Sequence, residues 1–147
     1  MVVQLFPPRH VYFPSTPVHT CTVILLHDTN STGAELAAAL AASTATAGKS
    51  IFEHFPSCRW VFPSAQPRQT DTCHASRGNW IETQANADAV SPQQAQAQPS
   101  TQDKDKDEGE DLEAGVEYIQ QIVEEEVGRL AGDSRRVVLG DWVGLWG

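Results

Sequence analysis

The chain has 147 residues, 40% of them hydrophobic and 20% charged, the proportions of one globular domain with room for a core. Its net charge of −9 comes from 19 acidic and 10 basic residues, and seven of the acids (Asp103, Asp105, Asp107, Glu108, Glu110, Asp111 and Glu113) fall close together. No basic stripe is present to neutralise phosphates, which argues against nucleic-acid binding, and the longest aliphatic run, Val23 to Leu26, is far shorter than the roughly 20 residues of a membrane span.

Taken from the start, residues 1–18 are proline-rich, with "VYFPSTPV" as a candidate edge strand. No basic region followed by an apolar stretch opens the chain, so no secretory signal is expected. Residues 19–83 begin the folded domain. "TCTVILLH", 20–27, is β-branched and continuously apolar, as in a strand buried on both faces of a sheet. The turn "DTNSTG" follows, and Thr32 and Glu35 stand at capping-box spacing before "AELAAALAASTATAG", an alanine-rich helix that Gly48 can end. "RWVFP", 59–63, is a second apolar strand stopped by Pro63. Strand, helix, strand predicts a parallel α/β unit.

From 64 to 83 the chain is irregular, with Trp80 and Ile81 as its apolar anchors. Residues 84–110 hold almost no large apolar side chain and read as a disordered acidic and glutamine-rich insertion, because they cannot bury enough surface to offset their ordering entropy. Residues 111–147 resume the domain. Leu112, Val116, Ile119, Val123, Val127 and Leu130 step by three and four, the stripe of an amphipathic helix packed on a core; Gly132 can cap it, and "RRVVLG" reads as a third buried strand.

Metal and nucleophile chemistry finds little support. No two histidines have HxxxH spacing and no CxxC pair exists; Cys58, Cys73 and His74 lack zinc-ligand spacing, and adjacent Cys73 and His74 do not face one another as nucleophile and base would. His10, His19 and His54 read as surface or loop residues. The acidic tract lacks the glycine and terminal glutamate placement of a calcium loop. The three cysteines, Cys21, Cys58 and Cys73, are odd in number and widely spaced, and read as free thiols in a reducing, cytoplasmic compartment. Two loops stand apart: "HDTNSTG" after the first strand and "GDWVG" after the third, both at the carboxyl ends of strands, where ligands of open parallel sheets bind.

At these loops the sequence resembles the phospholipase/carboxylesterase family, the acyl-protein thioesterase-like α/β-hydrolases. "HTCTVILLHDTNSTG" follows the family's H-T-x-T-V-I-x-L-H-G-x-G-x-T-G, and "FPSCRWVFPSAQPRQ", Trp80, "GVEYIQQIVEEEV" and "RRVVLG" come after it in the family's order, covering about residues 18–83 and 111–140. The resemblance implies an α/β-hydrolase fold, a mostly parallel sheet with flanking helices, and hydrolysis of a carboxylic ester or thioester such as a lysophospholipid or acyl-protein, with no metal or organic cofactor. It puts the nucleophile position on Val143, flanked by Asp141, Trp142, Gly144 and Leu145. It puts the two oxyanion-hole N–H groups on Thr29 and Gly144, with His27, Asp28 and Trp80 flanking the site. Here the chain departs from the family: Val143 is no nucleophile, Asp141, Trp142, Leu145 and Trp146 are too large or charged for a strained elbow, and Asp28 stands where the family has glycine. Acid and base follow the serine in such enzymes, so the resemblance implies an incomplete, inactive domain truncated at its elbow, able to self-associate through an exposed strand edge. The alternative is a non-catalytic interaction module on the same fold.

Overall fold

The computed structural model describes residues 6–28, 31–66, 80 and 105–142, with side chains from 112 onward in the last segment. Thr29, Cys73, His74, Ile81, Val143, Gly144 and the stretch 84–104 lie outside the described residues.

Four strands form one mixed sheet in the order β1-β3-β2-β4: β1 (His10–Tyr12), β2 (Cys21–Leu26), β3 (Cys58–Phe62) and β4 (Val137–Asp141). β2 runs parallel to both β3 and β4, and the short β1 closes one edge antiparallel to β3. Among the described residues three α-helices flank the sheet, α1 (Gly33–Ala42), α2 (Ile51–His54) and α3 (Asp105–Arg129). The architecture is α/β, as the alternation of apolar runs and helical patterns leads one to expect.

Alternation along the strands divides the core in two. On one face Cys58, Trp60 and Phe62 of β3 pack with Leu36, Ala37 and Leu40 of α1, joined by Val23, Leu25 and Phe52. On the other, Ile24 and Val61 pack against Ile122 of α3, with Tyr118, Val123 and Val137 around them. Ile24, Val61, Phe62 and Ile122 are essentially inaccessible, and each such burial is worth roughly 1.5–3 kcal/mol. Thr22, Arg59 and Glu126 share this second face. The Glu126 carboxylate, 0% exposed, accepts from Arg59 Nε at 3.0 Å and from the Thr22 hydroxyl at 3.2 Å, and Arg129 lies 3.4 Å away. Thr22 in turn accepts from His19 Nε2 at 2.9 Å.

Several sequence expectations need correction. The alanine-rich helix ends at Ala42, not at Gly48, because Ser43 turns extended and its hydroxyl bonds back to the Ala39 carbonyl at 2.8 Å. A separate turn of helix, α2, follows, closed by a reciprocal Ser50–Glu53 capping box. α3 starts at Asp105, inside the stretch read as a disordered insertion. Gly132, at φ +83°, ends α3 as expected, its N–H bonded to the Val127 carbonyl at 2.9 Å. The stripe on α3 is only partly core: Leu112 and Val116 are exposed, and the residues turned into the sheet include Ile122 and the charged Glu126. β4 is not buried either. It is an edge among the described residues, with Val138 and Leu139 55% and 49% exposed.

The free-thiol reading fails for two of the three cysteines. Cys21 and Cys58 are register partners on adjacent parallel strands, with Cα atoms 4.8 Å apart, and form a disulfide. Sequence spacing hid the pair because 37 residues separate them and only the sheet register brings them together. The argument for a reducing compartment therefore falls. No helix among the described residues is long and apolar enough to cross a membrane.

Closing a loop of 37 residues removes denatured-state entropy equivalent to about 4 kcal/mol. Urea unfolding with and without reductant should therefore differ by about that amount in the native chain, and by nothing in a Cys21→Ala/Cys58→Ala variant; a reductant-insensitive native chain would contradict the pairing.

Candidate functional site

The carboxyl ends of β2, β3 and β4 meet at one edge of the sheet, and short-range chemistry in the sequence after each strand ties them together. Leu25 is the register partner of Gly140, and Leu26 that of Asp141; the Trp142 N–H then donates to the Leu26 carbonyl at 2.9 Å. The first residues beyond the two strands, His27 after β2 and Trp142 after β4, thus lie at neighbouring strand ends.

His27, directly after β2, is 3% exposed and pins its loop to the next strand. The carbonyl of Asp28, 2.8 Å from Nδ1, can only accept, so Nδ1 carries the proton. Nε2 is then the acceptor that the Ala65 N–H requires, at 3.0 Å. Both ring nitrogens are used and the ring must be neutral. Burial accordingly lowers its pKa from the ordinary 6.5, against the opposing pull of the Asp28 carbonyl and of the Glu35 and Asp28 charges. The Trp80 ring stands 5.3 Å from His27, and stacks more loosely on Tyr118 at 6.5 Å.

The loop after β2 returns into α1 by a similar bond. Thr32 caps the helix by accepting from the Glu35 N–H at 3.1 Å, as its spacing indicates. Gly33 opens α1 against the end of β3, where its N–H donates to the Ser64 hydroxyl at 2.9 Å. A Cβ on Gly33 would lie 2.3 Å from the Phe62 carbonyl oxygen, so only glycine allows this approach. His27, Gly33, Ser64 and Ala65 form a braced corner in which Ser64 and Ala65 had no signal in the sequence.

Beside this corner a hollow of about 290 Å³ opens, lined by Leu26, Trp80, Val116, Ile119 and Leu139 and almost wholly apolar. Of the residues singled out from sequence, Trp80 lines the hollow and touches His27, to which Asp28 is bonded; Thr29, Val143 and Gly144 lie outside the described residues, beyond the paired strand ends Leu26 and Asp141. His10, His19 and His54 are elsewhere, the last bonded to the Thr46 carbonyl at 3.1 Å. No group of three or more metal-binding side chains is present among the described residues.

The chain matches no family model and no curated protein.

The enforced neutrality of His27 has a pH signature. A histidine whose folded pKa lies below its unfolded value stabilises the fold fully above about pH 6.5 and loses that contribution as pH falls through 6.5 toward the lowered value. Urea unfolding between pH 7.5 and 5 should show the native chain losing stability and the gap to a His27→Gln variant narrowing. A constant gap across that range would mean that the ring is not held neutral.

Proposed function

We propose that the chain carries the oxyanion side of a serine-hydrolase fold for carboxylic esters or thioesters, and that with Val143 at the nucleophile position it does not itself turn such substrates over. The observation that supports this most is the pairing of the ends of β2 and β4, through Leu26 with Asp141 and the Trp142 N–H. An oxyanion hole of the α/β-hydrolase kind takes one N–H from the loop after the earlier strand and one from the residue after the nucleophile. Such a hole requires those two strands to be neighbours, so that both donors reach one oxygen at about 2.7–3.1 Å. Thr29 and Gly144 occupy the corresponding sequence positions.

Two further features support the reading. The glycine-only contact of Gly33 with Phe62 and the His27 bond to Ala65 brace the loop that would offer the first donor. The apolar hollow beside it has the lining an acyl chain of a lysophospholipid or acyl-protein would need.

The chemistry itself lacks its parts. Valine has no nucleophilic atom, and Asp141 and Trp142 stand at positions where such a turn needs small residues. Three of the described histidines are engaged elsewhere: both nitrogens of His27 are committed, His19 bonds to Thr22 at the opposite end of β2, and His54 bonds to Thr46, while His10 stands on β1 at the far edge of the sheet. The exposed Val138, Leu139 and Trp142 on the β4 edge favour a second reading, a binding module that associates through this surface, with copies of itself or with another chain.

A short-chain p-nitrophenyl ester assay tests the inactive reading. The 147-residue chain should show no hydrolysis above buffer, and Val143→Ser should add neither burst nor turnover, since His27, the described histidine nearest the end of β4, has no ring nitrogen left to activate the hydroxyl. A burst from Val143→Ser would overturn the inactive reading while strengthening the hydrolase one.

A further inference from the structure

β4 pairs with β2 on one side, and among the described residues no strand lies on its other side. The Trp142 N–H points to β2, where it donates to the Leu26 carbonyl. Backbone polarity alternates along a strand, so Val138 and Gly140 also turn their N–H and C=O groups to β2, while those of Val137, Leu139 and Asp141 turn outward. Outward groups in a row are a template for a further strand.

The side chains do not guard this edge. Native edges are commonly blunted by lysine, proline or a bulge, whereas β4 reads Val-Val-Leu-Gly-Asp, with its one charge at the end. Val137 and Leu139 lie on the α3 side, where Val137 packs near Ile122 and Leu139 lines the apolar hollow. Val138, the register partner of Val23, lies on the α1 side. The exposed Leu112 and Val116 of α3 extend the apolar surface across the hollow from Leu139. Apolar residues on both faces suit a strand with a neighbour on each side.

The two ends of β4 carry opposite charge. Arg135 and Arg136 share the carboxylate of Asp133, at 3.0 and 3.2 Å, which leaves positive charge at the start of the strand. The exposed Asp141 ends it. A strand polarised in this way complements itself only when reversed. An antiparallel copy brings Arg135 and Arg136 beside the second copy's Asp141 and Trp142, where a guanidinium can meet a carboxylate and an indole face. A parallel copy in register would set like charges side by side.

The outward groups also fix the register. A twofold axis at Leu139 sets that residue opposite itself and Val137 opposite Asp141, so every outward N–H and C=O of the strand finds a partner. An axis at Val138 or Gly140 would leave Asp141 or Val137 outside the ladder. The pairing is closed, as a twofold interface requires, and makes one continuous sheet of two.

We propose that β4 is a dimerisation edge, which takes the β4 of a second copy of this chain antiparallel about a twofold axis at Leu139. The proposal rests on the binding-module reading of this edge and does not require the hydrolase one.

Sedimentation velocity of the full chain is the first arm, in 0.15 M salt, where charges beyond about 8 Å are screened and the net charge of −9 opposes association little. A reversible dimer is expected, with a Kd on the order of 10 µM for so small a contact. Leu139→Lys sets like charges face to face on the axis and should weaken the dimer at least about 10-fold. The second arm reads the register by oxidative cross-linking in a Cys73→Ser background, and stands even if the lysine variant fails to fold. Opposed residues that exchange both hydrogen bonds have Cα atoms about 5.5 Å apart, within disulfide reach, so Leu139→Cys should link two chains. Val137→Cys should not, because its two copies lie four residues apart along the ladder, about 13 Å. A monomer well above the expected Kd, open-ended polymers, a dimer indifferent to Leu139→Lys, or equal cross-linking at both positions would each overturn the proposal. A dimer that resists Leu139→Lys contradicts the binding reading of the edge itself, whereas a monomer contradicts only the second copy as its partner; neither arm reads ester turnover.

Discussion

A carboxylate with no exposed surface holds this structure together. Glu126 sits on the buried face of α3 and reaches the starts of β2 and β3 at once, through Thr22 and Arg59. Desolvating one such charge is expensive, and the energy is recovered only when its lone pairs are all met with good geometry. Here the Arg59 guanidinium, the Thr22 hydroxyl and Arg129 meet them. The consequence is positional. An apolar helix face can slide over a sheet, whereas a buried ion pair fixes α3 in one register, and α3 is the element that precedes β4 and brings it to the free edge of β2.

Once β4 lies beside β2, the loop chemistry at the other end of the strands follows. Thr22 starts β2 and Leu26 ends it, so the strand transmits the position set at the Glu126 end to the corner formed by His27, Gly33, Ser64 and Ala65. That corner is braced by neutral hydrogen bonds and one glycine contact. It is unsuited to proton transfer, because its one buried histidine is fully engaged. The proposed ester or thioester hydrolase scaffold and a valine at position 143 are compatible on these terms, since holding an oxyanion would not require the groups that generate one.

The parts of the fold that were legible in the sequence are those where a single physical pattern dominates. The continuous apolar run of β2, the Pro63 stop after β3, the Thr32 cap and the Gly132 turn each rest on local chemistry, and each is present. What stayed hidden depends on register between distant segments. Cys21 and Cys58 look like unrelated thiols until parallel pairing aligns them. Glu126 belongs to the run "VEEEV", which reads as solvent-facing, and only the distant Arg59 and Thr22 make its burial possible. The end of α1 at Ala42 turns on a hydroxyl-to-carbonyl bond from Ser43 that competes with the helix ladder. Of the candidate site, His27 and Trp80 were found from the sequence, while the Ser64 and Ala65 contacts that give the corner its rigidity carry no motif.

The central claim is that the Glu126–Arg59 pair fixes α3 on the sheet, and a double-mutant cycle in urea tests it most directly. Glu126→Ala leaves Arg59 buried without its counter-charge and should cost about 3–5 kcal/mol, while Arg59→Met made in that background should cost far less than in the native chain, giving a coupling of at least about 1 kcal/mol. Additive effects, or a loss below about 0.5 kcal/mol for Glu126→Ala, would contradict the account.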